Sequence, residues 1–520
     1  MQTISGLTCV VRYNVEYIEW RNANVTADKV WDVVVVGAGN AAICAALSAQ
    51  EHGAEVLVIE KAPYEERGGN SLFTAGGFRF VHDGLDDLRQ DILDDLSDSE
   101  AEQIGNLPPH SKEKYIEDIM RVTEHNADQE LADILASQSR ETMRWLRKHR
   151  IRFIPMFGRQ SFKIDSKHYF YGGVNIETIG GGWGLVDQLM AAAHRQKIDI
   201  RYETALVALL QEQKGEVTGI KVKGPEGFEH IKAKAVVLAC GGFQANPEMR
   251  VRYLGPGWEL CRVRGTRHNT GDGIRAALDI GAQPFGGWST CHAVQWDISA
   301  PPFGDRVILD NFQKHSYPIG IVVNLNGERF IDEGADMRNY TYAKYGREVL
   351  RQPLRVAIQI FDAKTIDHVR DEYRIRQVTK FEAGTLEELA HGLGINAEGL
   401  QQTVDEFNAA CQPGHYNPSV LDGVCTKGIT PPKSNWALPI DKPPYSGFMV
   451  TCGITFTFGG LKINNQAEVL DLVDKPIPGL FAAGELVGGL FYENYPGGTG
   501  LMNGAVFGRI AGATAGSYSR

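Results

Sequence analysis

The sequence predicts an α/β fold: a mostly parallel sheet flanked by helices, interrupted by an inserted α+β domain. Three observations predict it. The apolar run Val33 to Val36 is followed by a glycine turn, an alanine-rich stretch from Ala41 to His52, and a second apolar run, Val56 to Ile59. This is the order strand, turn, helix, strand of a parallel unit. Residues 291–448 then change character, being rich in Pro, Tyr and Asn and holding two amphipathic helical stretches near 386 to 410. Residues 449–520 return to the glycine-rich style of the start. The expected organisation is an N-terminal extension at 1–28, a first domain at 29–290 and 449–520, and a capping domain at 291–448.

Bulk properties narrow the function classes. The chain has 520 residues, 43% of them hydrophobic, enough for large cores. Its 53 basic and 64 acidic side chains give a formal charge of −11, which carries no electrostatic footprint for nucleic acid. An acidic protein that binds an anion must concentrate positive charge locally. The eight cysteines (Cys9, Cys44, Cys240, Cys261, Cys291, Cys411, Cys425 and Cys452) include no C-x-x-C pair, so no metal site is expected. Charged residues break the apolar pattern of positions 1–28, and Asp32, Gly37 and Gly39 interrupt the most apolar window. The expectation is a cytoplasmic protein without a signal peptide or transmembrane segment.

The strongest motif is Gly37-Ala38-Gly39-Asn40-Ala41-Ala42, directly after the first strand and opening a helix. The two glycines permit a tight turn and close approach of a pyrophosphate, and the helix N-terminus offers free N–H groups and a positive dipole end. Glu60 ends the next strand, 23 residues after Gly37, where a carboxylate meets ribose hydroxyls. The spacing predicts a Rossmann-like dinucleotide-binding domain. Four further segments extend it: Gly68-Gly69-Asn70-Ser71 with Thr74-Ala75-Gly76-Gly77; the run Val236 to Gly242; Thr270-Gly271-Asp272-Gly273 before an alanine-rich helix; and Gly479 to Glu485 before a helix beginning near Leu501. An extended ligand touching both ends of the chain accounts for all of them.

In that order, these motifs resemble the fumarate reductase and succinate dehydrogenase flavoprotein family across residues 29–520. The stretches around Gly68, Thr455 and Tyr495 look most like the tricarballylate dehydrogenases within it. The resemblance implies FAD, with Gly37, Ala38, Gly39, Asn40, Ala41, Glu60 and Lys61 at its ADP half. Gly69, Asn70, Ser71, Ala75, Gly76, Gly77, Ala239, Gly241, Asp272, Glu485, Gly500 and Leu501 are the expected remaining cofactor residues. Glu66-Arg67 stand before Gly68-Gly69, where the respiratory complexes carry an attachment histidine, so the FAD is expected to be non-covalent.

The same resemblance implies a catalytic set. Arg338 follows Arg329-Phe330-Ile331-Asp332-Glu333 and is the expected proton carrier, with Tyr340 and Tyr342 as substitutes. His292 matches a carboxylate-binding histidine. Two cationic groups of the fumarate reductases are replaced here by the segments Thr455 to Gly460 and Asn494 to Gly498. Tyr495-Pro496-Gly497 also resembles the 3-ketosteroid dehydrogenases, in which that tyrosine hydrogen-bonds a substrate carbonyl. Arg262, Arg264, Arg267 and His268 form a basic stretch fit for an anionic substrate or for a surface. The leading expectation is dehydrogenation of a CH–CH bond of a small polycarboxylate such as tricarballylate, with a separate electron acceptor. The alternatives are a Δ-dehydrogenase or ene-reductase acting on a ketone, a fumarate-reductase-like enzyme, and a flavin-binding electron carrier.

Overall fold

The computed structural model describes residues 29–520; the expected extension at 1–28, with Cys9, lies outside the described residues. The first sheet has eight strands. Its parallel part runs through Asp199–Arg201, Val56–Ile59, Val30–Val36, Gly227–Leu238 and Pro476–Ala482. The strands Val30–Val36 and Val56–Ile59 are almost wholly buried, as apolar strands covered on both faces must be. The strand expected from Val236 is the end of Gly227–Leu238, which begins in an antiparallel meander with Ala205–Gln211 and Val217–Gly224.

The second sheet has six strands around Tyr445–Leu461. That strand pairs antiparallel with Pro284–Asp297, Ala357–Phe361 and Lys380–Ala383. The two amphipathic stretches form the helices Leu386–Leu393 and Ala397–Ala410, packed on this sheet through Leu389, Leu400, Val404 and Phe407. The capping-domain boundaries expected at 291 and 448 fall inside the strands Pro284–Asp297 and Tyr445–Leu461. The inserted sheet therefore begins before, and ends after, the change in composition.

The helix Asn40–Glu51 packs along the C-terminal helix Thr499–Tyr518. Gly504, Gly508, Gly512 and Gly516 recur every fourth residue and so lie on one helical face. A Cβ at Gly508, Gly512 or Gly516 would press on the carbonyl of Ala41, Ala45 or Ala49, so the two backbones approach more closely than side chains allow. Asn40 Nδ2 donates to the Leu501 carbonyl at 2.8 Å, and Ser48 Oγ to that of Arg509 at 2.7 Å. Both helices begin at the same point, above the carboxyl ends of the parallel strands. Among the described residues no helix is long and apolar enough to cross a membrane.

Gly512→Leu forces these helices apart. Overpacking of this kind costs about 1–3 kcal/mol, so the thermal midpoint should fall and FAD retention with it. An unchanged midpoint would show that the close approach does not matter.

Candidate active site

A cleft lies where the two sheets meet, lined by residues from both ends of the chain and from both sheets. One arm runs over the strand ends at Val36, Ile59 and Ala239 and past Gly484. Of the expected cofactor residues, Gly37, Ala38, Gly39, Asn40, Ala41, Glu60, Lys61, Gly69, Asn70, Ser71, Ala75, Gly77, Ala239, Gly241, Asp272, Glu485, Gly500 and Leu501 all line the cleft. Gly76 does not. It sits behind the wall, its N–H on Thr74 Oγ1 at 3.1 Å and its carbonyl accepting from Thr178 N–H at 2.9 Å.

The lining fits a dinucleotide. Gly37 has φ +107°, and a Cβ there would meet the backbone of Ala239 and Cys240. Gly39 and Gly498 are the N-caps of the two long helices, without a side-chain cap, and neither first turn holds an acidic residue. Both positive helix ends therefore face the cleft uncompensated. Glu60 accepts from the N–H groups of Ala38 and Ala62, each at 2.8 Å, which holds the glycine turn against the second strand. Burial raises the Glu60 carboxyl above its ordinary pKa. Lys61 joins Thr270 Oγ1 at 2.5 Å and Asp272 at 2.7 Å, closing the far end. Asn70 works as a clamp: its Nδ2 donates to the Thr455 carbonyl at 2.6 Å, and its Oδ1 accepts from Thr266 N–H at 2.9 Å. Glu485 accepts from Thr457 N–H at 3.0 Å, and burial pushes its carboxyl up to about 7.

The other arm is rich in cations and aromatic rings. His292, Arg338 and Tyr495 line it, together with Tyr342, Arg264, Arg370, Arg159 and Phe456. The pairing of the two long strands passes from His292↔Phe456 to Ala293↔Ile454, a bulge that leaves Thr455 unopposed. Bulges re-aim side chains. Here Thr455 faces the cleft and accepts from Arg264 Nη1 at 3.4 Å. His292 is 1% exposed and neither ring nitrogen has a partner. Burial, then the charge of Arg264, keeps it well below the usual histidine pKa and therefore neutral.

Arg338 is buried, with its guanidinium 5.1 Å from the centre of the Tyr342 ring. It donates to the Arg159 carbonyl at 3.3 Å, and its Nε has no partner. Among the described residues, neither Arg338 nor Arg370 has a carboxylate within salt-bridge distance, whereas Arg159 and Arg264 share Asp310 at 3.0 and 3.7 Å. Burial, then the like charge of Arg370, lowers the pKa of Arg338. The Tyr342 and Tyr495 hydroxyls hydrogen-bond each other. Burial, then Tyr342, holds the Tyr495 hydroxyl well above its ordinary pKa, so it stays protonated.

Tyr340 is placed elsewhere. Its hydroxyl donates to buried Asp118 at 2.6 Å and accepts from Arg79 at 3.2 Å, behind the cleft wall, so Tyr342 takes the place expected for it. Of the basic stretch, Arg264 faces the substrate arm, His268 lines the cleft while bonded to Glu66 at 2.7 Å, and Arg267 is exposed. Arg370 and Arg159 carry no sequence signal: both come from segments without a motif, brought in by the fold.

Over residues 32–501 the chain matches the family described as FAD binding domain. It is similar to a probable fumarate reductase of Shewanella frigidimarina, 32% identical, with 94% of this chain and 75% of that protein covered. Among solved structures it is similar to the open conformation of a flavocytochrome c3 fumarate reductase, at 30% identity and TM-score 0.70, covering 95% of this chain and 79% of that one. It shares its fold with the 3-ketosteroid Δ1-dehydrogenase of Sterolibacterium denitrificans, at 23% identity and TM-score 0.71, covering 94% and 99%. FAD is thus the cofactor of the chain.

Two outcomes follow for the cofactor arm. Acid precipitation should leave all of the flavin in the supernatant; colour retained by the denatured polypeptide would show a covalent bond. Glu60→Ala removes the acceptor of two N–H groups, and hydrogen bonds to a charged group are worth about 1.5–3 kcal/mol. The Kd for FAD, measured by flavin fluorescence, should therefore rise tenfold or more, with kcat of the remaining holoprotein little changed.

Proposed function

Because the chain belongs to the FAD binding domain family, with a fumarate reductase among its relatives, we propose that it interconverts a CH–CH bond and a C=C bond next to a carboxylate. The substrate class is a small polycarboxylate, of which tricarballylate is one case, taken in the direction of the unsaturated acid. The observation that carries this reading is the pair Arg338 and Arg370, which line the cleft beside Arg264 without a carboxylate in salt-bridge range among the described residues. A buried charge such as that of Arg338 is costly without a counterion, and a substrate carboxylate supplies it.

FAD, which Gly37, Gly39, Glu60, Ser71, Glu485 and Leu501 would hold, would supply hydride transfer at one carbon of the substrate, with a separate electron acceptor completing the turnover. The proton at the neighbouring carbon falls to the chain's own residues. A guanidinium is ordinarily too weak an acid to give up a proton. Burial and the like charge of Arg370 make the neutral form of Arg338 cheaper to reach. Negative charge builds on the substrate carboxylate as the proton leaves, and Arg264, Arg370 and the Tyr342–Tyr495 hydroxyl pair stand where it is stabilised. His292, neutral and unpartnered, adds a donor. Phe456 and Phe491 pack against Tyr495, with ring centres at 5.1 and 5.4 Å, and keep water from this end.

The paired tyrosine hydroxyls favour a second reading, in which they polarise the carbonyl of a ketone substrate. Both readings require catalysis rather than electron carriage alone, because a carrier has no use for a cation-rich arm beside its flavin.

Arg338→Lys keeps the charge but not the planar fork. Acid–base groups contribute about 10²–10⁴ in rate; kcat should fall by that range or more while FAD stays bound. A near-native kcat with a raised KM would reduce Arg338 to carboxylate binding and pass the proton to Tyr342. Tyr495→Phe should lower kcat/KM and leave the flavin in place. A larger loss with ketones than with acids would favour the second reading.

A further inference from the structure

Arg338 and Arg370 line the cleft and also a second, smaller cavity. We propose that this second cavity binds a small carboxylate, held between the two guanidinium groups, His315 and Ser316. The proposal goes beyond the reaction of the main cleft, which requires no ligand there, and shares with that reading only the arginine pair.

Four observations support it. The two arginines lack carboxylate partners among the described residues, and the like charge of Arg370 already bears on Arg338. An anion between them removes that repulsion, and a planar carboxylate matches the guanidinium fork. His315, which lines the cavity, is 2% exposed, and neither of its ring nitrogens has a partner. Buried polar groups without partners are uncommon. Burial, then Arg338, keeps this ring neutral, so it offers one N–H to an anion. The Ser316 Oγ accepts from Arg370 N–H at 3.1 Å, which leaves its own proton to donate. Finally, His368, which lines the cavity, is exposed at the surface, so the cavity opens to the outside. The cavity is much smaller than the main cleft, which selects a small head group.

The carboxylate has two possible sources, a free acid or the distal arm of a substrate, and the same experiment separates them. Trp436 lines the cavity and is fixed by Nε1–H bonds to the carbonyls of Asn417 and Val420, at 2.9 and 3.0 Å. In the FAD-loaded protein carrying 5-fluorotryptophan, its fluorine resonance is assigned from Trp436→Phe. Titration with acetate should shift that resonance saturably. His368→Glu, which places a competing carboxylate at an exposed rim position, should weaken acetate at least tenfold, and so should Arg370→Gln. A dicarboxylate that moves the Trp436 resonance and the flavin absorbance with one midpoint identifies a substrate arm; separate midpoints identify a free acid. A resonance that stays still, that responds equally to chloride, or that responds in His368→Glu and Arg370→Gln as it does in the unsubstituted protein overturns the proposal. Loss of turnover in the main cleft with this response intact would sink only the proposed reaction.

Discussion

The close crossing of the first and last helices is the contact on which the rest of the molecule depends. The glycines at 504, 508, 512 and 516 let the backbones of Asn40–Glu51 and Thr499–Tyr518 touch, and the Asn40–Leu501 hydrogen bond aligns their starts. Two helix N-termini thereby meet above the carboxyl ends of the parallel strands, each with a glycine at its N-cap and no acid in its first turn. A dinucleotide phosphate is the natural complement of such an arrangement. The same contact explains why the chain needs both of its ends to build one site: Glu60 and Ser71 come from the beginning, Glu485 and Leu501 from the close.

Charge follows the same economy. The protein is acidic as a whole, yet the cleft gathers its positive ends inward: helix termini over one arm, arginines over the other. Arg159 and Arg264 are partly neutralised by Asp310, and Arg338 and Arg370 are not. In the proposed reaction a substrate, rather than the protein, provides the counterion of the uncompensated pair. Burial acts on the neighbours in a consistent direction. It keeps His292 and His315 neutral and Tyr495 protonated, so the arm presents hydrogen-bond donors beside fixed cations. Such an arm stabilises negative charge as it develops, which is the physical requirement for moving a proton next to a carboxylate.

Much of this was legible in the sequence, for reasons that differ along the chain. The glycine turn, the strand before it and the acid at Glu60 are local, so spacing alone places them, and the helices at Leu386–Leu393 and Ala397–Ala410 are amphipathic enough to read directly. The inserted sheet was harder. Its two long strands, Pro284–Asp297 and Tyr445–Leu461, are partners across more than a hundred residues, and a change of composition does not mark where such pairing begins. Tyr340 and Tyr342 are two residues apart, one closing a short 3-10 turn and one opening the helix Tyr342–Leu350, and nothing local says which faces the cleft; buried Asp118 claims Tyr340. Arg370 sits in a stretch without a motif and gains its meaning only beside Arg338. The four-residue glycine spacing of the last helix was visible, but its partner helix lies more than 450 residues away.

The central claim is that the uncompensated arginines select substrate by its negative charge before flavin chemistry begins. The direct measurement is anaerobic stopped-flow absorbance of the oxidised flavin on mixing with a saturated polycarboxylate and, in parallel, with its methyl ester, which keeps the reacting C–C bond and removes the charge. The account predicts bleaching with the acid and, with the ester, a rate lower by two or more orders of magnitude, on the order of what preorganised charge stabilisation contributes. Equal bleaching by acid and ester, or bleaching by a neutral ketone alone, would contradict it.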